Sequence, residues 1–297
     1  MDLSQSNYDE NLVEYLLDWI SSILSLKWRS IWTLLLHLKF LNVDVTEKVI
    51  DKTMCFHQGD LESLEISVSY WCWRYGNWSP NGELIRKSVL AASVKRVKQI
   101  TLNLPISLHI PTSLFSCDCL TFLDLTRFEF KLPSYFSGFR YLRTCFLTDV
   151  HIIDDMLEQL AAKCPLLEKL WVLSCSMRLN NLKISAPSLK YFNFSGNRHE
   201  KSLTLTVNCP KLRIVTIHNC PSRLKLELNS CRELHFSTTE LHVLKYVSNR
   251  NSLKKITLRG LSTHVPFLAV LSHFSNLEEL SLESDSFEVS KSPVFFF

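Results

Sequence analysis

The sequence predicts an α/β solenoid whose strands form one long parallel sheet, and three observations lead to this prediction. A short pattern with apolar first, fourth and sixth residues returns ten times along the 297 residues. From the second copy onward, successive copies begin 19 to 25 residues apart, which is the period of leucine-rich repeats. Prolines and polar residues separate the copies, as expected where a chain turns back between strands.

The pattern also predicts which side chains face a partner. Its copies are Leu61-Leu64-Ile66, Val97-Ile100-Leu102, Leu120-Leu123-Leu125, Leu142-Cys145-Leu147, Leu167-Leu170-Val172, Leu189-Phe192-Phe194, Leu212-Val215-Ile217, Cys231-Leu234-Phe236, Leu253-Ile256-Leu258 and Leu277-Leu280-Leu282. Because side chains alternate along a strand, these residues point into the core, and the third, fifth and seventh positions point out from a concave sheet. A solenoid offers an extended surface rather than a pocket, so binding is the expected activity.

The chain divides into four predicted segments. Residues 1–45 carry apolar residues at three- and four-residue steps from Leu12 to Leu24, which predicts helices. Residues 46–96 hold a linker, the first repeat strand, a tryptophan-rich insertion and a helix over 83–94. Residues 97–290 are the repeats, and 291–297 are a tail.

The connections after the repeat strands differ in their predicted structure. The clearest is a helix from Asp154 to Cys164, capped by Asp154 or Asp155 and stopped by Pro165. The other connections are shorter and rich in proline, which predicts irregular or single-turn segments and a ragged outer face.

Composition narrows the class of protein. A hydrophobic content of 46% with 21% charged residues argues against disorder, and a net charge of +4 argues against a dedicated nucleic-acid surface. The most apolar stretch, residues 12–41, is interrupted by Asp18, Lys27, Arg29 and Lys39, so no membrane span is expected. The polar, acidic start lacks a secretory signal, and we expect a protein of the cytoplasm, the nucleus or both.

The ten cysteines are expected to be structural. Cys145 and Cys231 occupy apolar positions of the pattern, and buried thiols behave as small hydrophobic groups. The pair Cys117-Cys119 could seed a metal site, but no second pair follows at zinc-finger spacing. We therefore expect no metal and no cofactor.

Aromatic residues fall at outward positions of four consecutive repeats. They are Phe122, Phe146, Trp171 and Tyr191. Exposed aromatic rows are typical anchors of protein interfaces, and Trp171 is the strongest candidate. The alternative is that a flanking loop or the N-terminal segment covers these side chains as ordinary core.

Later repeats add His218, His235 and Arg259 to the candidate target-binding positions. With Cys220 or Cys231, the two histidines could form a catalytic or metal cluster, but their spacing does not require one. No nucleotide-binding, zinc-protease or serine-hydrolase motif is present, so no enzyme is expected.

The segment from Ser22 to Phe40, SILSLKWRSIWTLLLHLKF, resembles the C-terminal half of the F-box in plant F-box/leucine-rich-repeat (F-box/FBD/LRR-type) proteins. Strands introduced by Cys-Pro-x-Leu or Ala-Pro-x-Leu are also similar to that family. The resemblance implies a helical F-box-like segment over 1–45 and a substrate-recognition subunit of an SCF-type (Skp/cullin/F-box) ubiquitin ligase. It implies binding to a Skp-type adaptor, and through it a cullin, by Leu24, Trp28, Arg29 and Trp32.

The chain departs from the family pattern at both ends. No Leu-Pro pair precedes Trp28, and the chain stops soon after Leu282 with KSPVFFF, which suggests a shortened version of the family plan. A repeat module that has lost adaptor coupling therefore stays open as an alternative function, and an enzyme on a solenoid scaffold as a third. Trp28 and Trp32, four residues apart, could also pack the N-terminal segment against the first repeat.

Overall fold

The computed structural model describes residues 34–41, 47–68, 81–152, 155–177, 181–196, 202–219, 223–228, 230–237, 244, 246–248, 250–259, 274–283 and 294–296. The chain forms two compact units. The N-terminal unit comprises residues 1–106 and 111–117, and the C-terminal unit comprises 107–110 and 118–297.

The N-terminal unit contains three strands in parallel register. Its elements are β1 (His37–Leu41), α1 (Glu47–Phe56), β2 (Ser63–Ser67), α2 (Gly82–Val94), β3 (Gln99–His109) and a 3-10 helix (Thr112–Ser116). The last three residues of β3, 107–109, belong to the C-terminal unit. Strand β2 lies between the other two, so that Leu38, Leu64 and Ile100 are neighbours across the ladder. All three side chains are buried, as the repeat pattern predicts for the second and third of them.

Helix α2 is confirmed where the sequence predicts it. Asn81 precedes the helix, and its side-chain oxygen accepts a hydrogen bond of 2.9 Å from the backbone N–H of Glu83. This cap satisfies one of the free N–H groups of the first turn. The buried face of the helix consists of Leu84, Ile85, Ser88, Val89 and Ala92.

Strand β1 corrects the prediction that residues 1–45 are helical. His37–Leu41 are extended, with Leu38 buried and Lys39 exposed, because apolar and polar residues alternate here. Leu35, Leu38 and Phe40 also repeat the apolar pattern 26 residues before Leu61, which is a signal the sequence analysis missed. The rest of the predicted F-box-like helices, including Leu24, Trp28, Arg29 and Trp32, lies outside the described residues.

The C-terminal unit consists mainly of short strands. In chain order its elements are β4 (Phe122–Phe130), β5 (Thr144–Thr148), β6 (His151–Ile152), α3 (Met156–Lys163), β7 (Lys169–Leu173), β8 (Ser176–Met177), β9 (Asn181–Ile184), β10 (Tyr191–Ser195), β11 (Leu203–Val207), β12 (Ile214–His218), β13 (Leu224–Leu228), β14 (Glu233–Ser237), β15 (Val247–Ser248), a 3-10 helix (Arg250–Ser252), β16 (Lys255–Arg259), β17 (Glu279–Glu283) and β18 (Val294–Phe296).

The repeat strands of this unit form one parallel sheet, which we call the repeat sheet. Its order is β4-β5-β7-β10-β12-β14-β16-β17, and β18 adds an antiparallel strand beside β17. Equivalent positions of the pattern stand side by side, for example Cys145 with Leu170 and Phe192 with Val215. The leucine-rich-repeat fold is therefore confirmed, with a buried apolar row continuing from strand to strand.

A tight turn places the first apolar residue of several repeats. The backbone N–H of Leu167 donates to the carbonyl of Cys164 at 3.1 Å, and Leu212 donates to Cys209 at 3.0 Å. In both turns proline is the second residue, where its fixed φ suits a β-turn. This geometry explains the recurrent Cys-Pro-x-Leu sequence.

A second parallel sheet replaces the ragged connections that the sequence analysis predicted. Its order is β15-β13-β11-β9, and Leu205 stands between Leu182 and Leu226. The alternation LTLTV over 203–207 and LKLEL over 224–228 is typical of half-buried strands. For these connections the prediction of irregular or single-turn segments was wrong, because a proline in a connection does not exclude a strand beside it. The 3-10 helix Thr112–Ser116, which follows Pro111, is a single-turn connection as predicted.

Helix α3 is shorter than predicted, and its cap differs. It spans Met156–Lys163, and Leu157, Leu160 and Ala161 are buried as expected. Asp155 holds the N-cap position, but its carboxylate accepts from the side chain of Gln159 at 2.8 Å rather than from a backbone N–H. Asp154 lies outside the described residues.

Within the described part of the chain, no helix is both long and apolar enough to cross a membrane.

Candidate functional site

The outward face of the repeat sheet carries three rows of side chains. The third-position row is Phe122, Thr144, Lys169, Tyr191, Ile214, Glu233, Lys255 and Glu279. The fifth-position row is Asp124, Phe146, Trp171, Asn193, Thr216, His235, Thr257 and Ser281. The seventh-position row is Thr126, Thr148, Leu173, Ser195, His218, Ser237, Arg259 and Glu283.

Three of the predicted aromatic residues form one contiguous cluster. The ring centroids of Phe122 and Phe146 are 5.6 Å apart, and the planes are tilted by 48°. Phe146 stacks on Trp171, with centroids 4.4 Å apart and an interplanar angle of 18°. We call Phe122, Phe146 and Trp171 the aromatic cluster. Its side chains keep part of their surface accessible to solvent.

Tyr191 stands beside this cluster and contacts a cation instead of another ring. It is the neighbour of Lys169 across β7 and β10, and the Lys169 ammonium lies 5.7 Å from its ring centroid. This distance is within the range of a cation–π interaction. Lys169 itself is exposed to solvent. This lysine is not among the predicted site residues, although it precedes Trp171 by two residues on the same outward face.

The predicted residues His218, His235 and Arg259 lie on later strands, apart from the aromatic cluster. Burial is the main factor that lowers the pKa of His218 from its usual 6.5, and the charges of Arg259 and His235 lower it further. Both effects favour the neutral form of the His218 ring. His235 Nε2 is 3.7 Å from a carboxylate oxygen of Glu233.

Ion pairs connect the last two repeat strands. Lys255 Nζ is 2.7 Å from Glu279 Oε1, and Arg259 pairs with Glu283. The hydrogen bond from Lys255 is the main factor that lowers the pKa of the Glu279 carboxyl. Cations of β16 are thus matched by carboxylates of β17. Opposite charges at the same position of consecutive repeats were a signal for this pairing that the sequence analysis did not use.

The described residues include no group of three or more His, Cys, Asp or Glu side chains arranged to hold a metal ion. Cys231, one of the thiols considered with the two histidines, is buried, and burial raises its pKa to about 12. Such a thiol is almost entirely protonated at neutral pH, so it is poorly suited to nucleophilic chemistry. Cys220 lies outside the described residues.

The buried cysteines lead to a prediction about reactivity. Burial raises the pKa of the Cys175 thiol to about 12 and that of Cys164 to about 11, whereas Cys55 is exposed. Iodoacetamide at pH 8 should label Cys55 at least about 100-fold faster than Cys175 in the native protein, because the thiolate is the reactive form. Peptide mass spectrometry measures the ratio, with urea-unfolded protein as the control. Equal native rates would contradict the buried placement.

The chain is similar to one family model and to several plant proteins. A family model described as "FBD-associated F-box protein At5g56370, LRR repeats" matches residues 85–251. The F-box/FBD/LRR-repeat protein At1g13570 of Arabidopsis thaliana is 29% identical over 232 residues, which cover 71% of this chain and 53% of that protein. The FBD-associated F-box protein At1g66310 of the same plant is 28% identical over 270 residues, covering 86% of this chain and 58% of that protein.

A third Arabidopsis thaliana relative, the F-box/FBD/LRR-repeat protein At2g04230, is 27% identical over 300 residues, covering 89% of this chain and 64% of that protein. The chain thus spans between one half and two thirds of the length of these three curated relatives. No solved structure matches it.

Proposed function

The chain belongs to the leucine-rich-repeat family of plant FBD-associated F-box proteins, and from this we propose that it is the substrate-recognition subunit of an SCF-type ubiquitin ligase. In this role residues 1–45 bind a Skp-type adaptor, with Leu24, Trp28, Arg29 and Trp32 in contact. A cullin joins through that adaptor. The outward face of the repeat sheet binds a target protein, in the cytoplasm or the nucleus.

Family membership supports the ligase role, and the observation that carries target binding is the aromatic cluster on the outward face of the repeat sheet. Phe146 and Trp171 stack in register on adjacent strands and keep accessible surface. Large aromatic side chains on an open face are the residue type that most often dominates binding energy at protein interfaces. The proposed contact surface extends from this cluster through Tyr191 to His218, His235 and Arg259.

The proposed subunit performs no chemistry on its target. It holds a target lysine near a conjugating enzyme that carries ubiquitin. This proximity converts an encounter between separate molecules into a reaction within one assembly. A parallel sheet suits this task because each inner strand is hydrogen-bonded to a strand on both sides.

Adaptor capture is the direct test. We expect the full chain, co-expressed with a Skp-type adaptor and cullin, to copurify with both proteins. The double variant Trp28→Ala, Trp32→Ala should reduce capture at least about tenfold, because truncating two aromatic anchors removes more than about 1.4 kcal/mol of binding energy. The matched control is Phe146→Ala, Trp171→Ala, which alters the outward face and should leave adaptor capture unchanged.

Failure of folded wild-type protein to capture the adaptor would overturn the ligase role. It would favour the second candidate, a repeat module that binds a target without adaptor coupling. Circular dichroism of each variant separates loss of binding from loss of fold.

A further inference from the structure

Lys169 differs from the other cations on the outward face of the repeat sheet. Lys255 and Arg259 each form an ion pair with a carboxylate of the next strand, Glu279 and Glu283 respectively. Among the described residues, Lys169 forms no such ion pair, and its ammonium lies over the ring of Tyr191. Asp124, beside Phe146 on β4, is two strands away from Lys169. The exposed ammonium therefore stands beside aromatic rings with no carboxylate at the outward positions of either adjacent strand, β5 or β10.

The position of this ammonium is defined relative to the aromatic cluster. Lys169 and Trp171 are two residues apart on β7 and point to the same face. Their Cα atoms are thus about 7 Å apart, at about 3.3 Å per residue of strand. Tyr191, on the adjacent strand, lies beneath the ammonium and favours this placement of the long side chain.

We propose that this face binds an extended segment of the target protein in which an aromatic or large aliphatic residue lies two positions from an aspartate or glutamate. This inference rests on the proposed function, because it takes the face as the target-binding surface. The apolar side chain contacts Phe146 and Trp171, and the carboxylate pairs with Lys169. Alternate residues of an extended segment project to one side about 7 Å apart, which matches the spacing of Trp171 and Lys169.

The two contacts have different roles in this binding. The aromatic rings offer the apolar area that supplies most of the affinity. The ion pair is exposed and contributes less affinity, but it rejects segments that carry a lysine or arginine at the same place. Reversing the charge of Lys169 should therefore change which segments bind more than how tightly the best segment binds.

Selection from a random peptide library tests this proposal on the full chain. We expect wild-type protein to enrich peptides with Trp, Phe or Leu two residues from Asp or Glu. Lys169→Glu should replace the acidic preference by Lys or Arg at the same spacing, and Trp171→Ala should weaken the best peptide at least about tenfold in fluorescence polarisation. The matched control is Lys183→Glu, an exposed strand lysine on the second sheet, which should leave the selection unchanged.

The possible outcomes test the peptide preference and the ligase role separately. An acidic preference that is absent, that has another spacing, or that persists in Lys169→Glu overturns the proposal. The adaptor experiment does not involve this face, so failed adaptor capture with the expected peptide preference would reject the ligase role alone. Adaptor capture without the peptide preference would reject only the inference about Lys169.

Discussion

Replacing Gly138 with alanine is expected to destabilise the C-terminal unit by at least about 3 kcal/mol. Gly138 has a φ of +107°, which L side chains rarely adopt. A Cβ atom built on it would lie 1.9 Å from the carbonyl oxygen of Lys163 and 2.8 Å from the carbonyl carbon. These are backbone atoms at the end of α3, so the clash cannot be relieved by moving a side chain.

The surrounding contacts explain why the backbone cannot shift easily. Phe136 and Phe139, on either side of Gly138, are buried with ring centroids 5.1 Å apart. Lys163 Nζ donates a hydrogen bond of 2.7 Å to the carbonyl of Phe136. The hydrogen bond joins the turn to the end of α3, and the two buried rings fix the turn on either side of the glycine.

Urea unfolding followed by circular dichroism measures this effect. Ser137→Ala is the matched control, because this neighbouring side chain is exposed and its replacement should change the free energy of unfolding by less than about 0.5 kcal/mol. A Gly138→Ala protein as stable as the control would show that the turn does not approach Lys163 as closely as described.

Leu205→Ala is expected to destabilise the C-terminal unit by about 3 kcal/mol, the middle of the range for buried leucine. Leu205 is fully buried, and its strand neighbours Leu182 and Leu226 are buried as well. Truncation leaves a cavity on β11, which is hydrogen-bonded to β9 on one side and to β13 on the other, so the surroundings can collapse only in part.

Thr204→Ala is the control for this prediction. Thr204 is the preceding residue of β11, it points to the opposite face, and it keeps accessible surface. Its replacement should cost less than about 0.5 kcal/mol. Comparing the urea midpoints of the two variants tests the second sheet directly. Similar losses at both positions would mean that residues 203–207 are not a half-buried strand.

Most of the repeat sheet could be predicted from local sequence. The apolar pattern identifies repeat strands such as β7 and β12, because one buried face requires alternation and each repeat returns the chain to the same place. Helix α2 was also predictable, since good helix formers follow an asparagine cap. Two strands were harder to predict. The segment of β1 resembles part of a helical motif, and β11 lies between prolines and polar residues.

The candidate site was predictable residue by residue but not as an arrangement. The outward positions of Phe122, Phe146 and Trp171 follow from alternation alone. Their contact does not, because ring stacking depends on rotamers and on the register of adjacent strands. The same holds for Lys169, whose significance depends on which other cations already have a carboxylate neighbour.

The repeat, its buried residues and the identity of the outward rows follow from the amino-acid pattern, because periods of two and of about 22 residues leave few alternative folds. Which outward residues touch depends on how the strands pair in the folded chain. Residues about 20 positions apart in the chain become neighbours about 4.8 Å apart once strands pair in parallel. That pairing stacks Phe146 on Trp171, matches Lys255 with Glu279, and leaves Lys169 beside the rings.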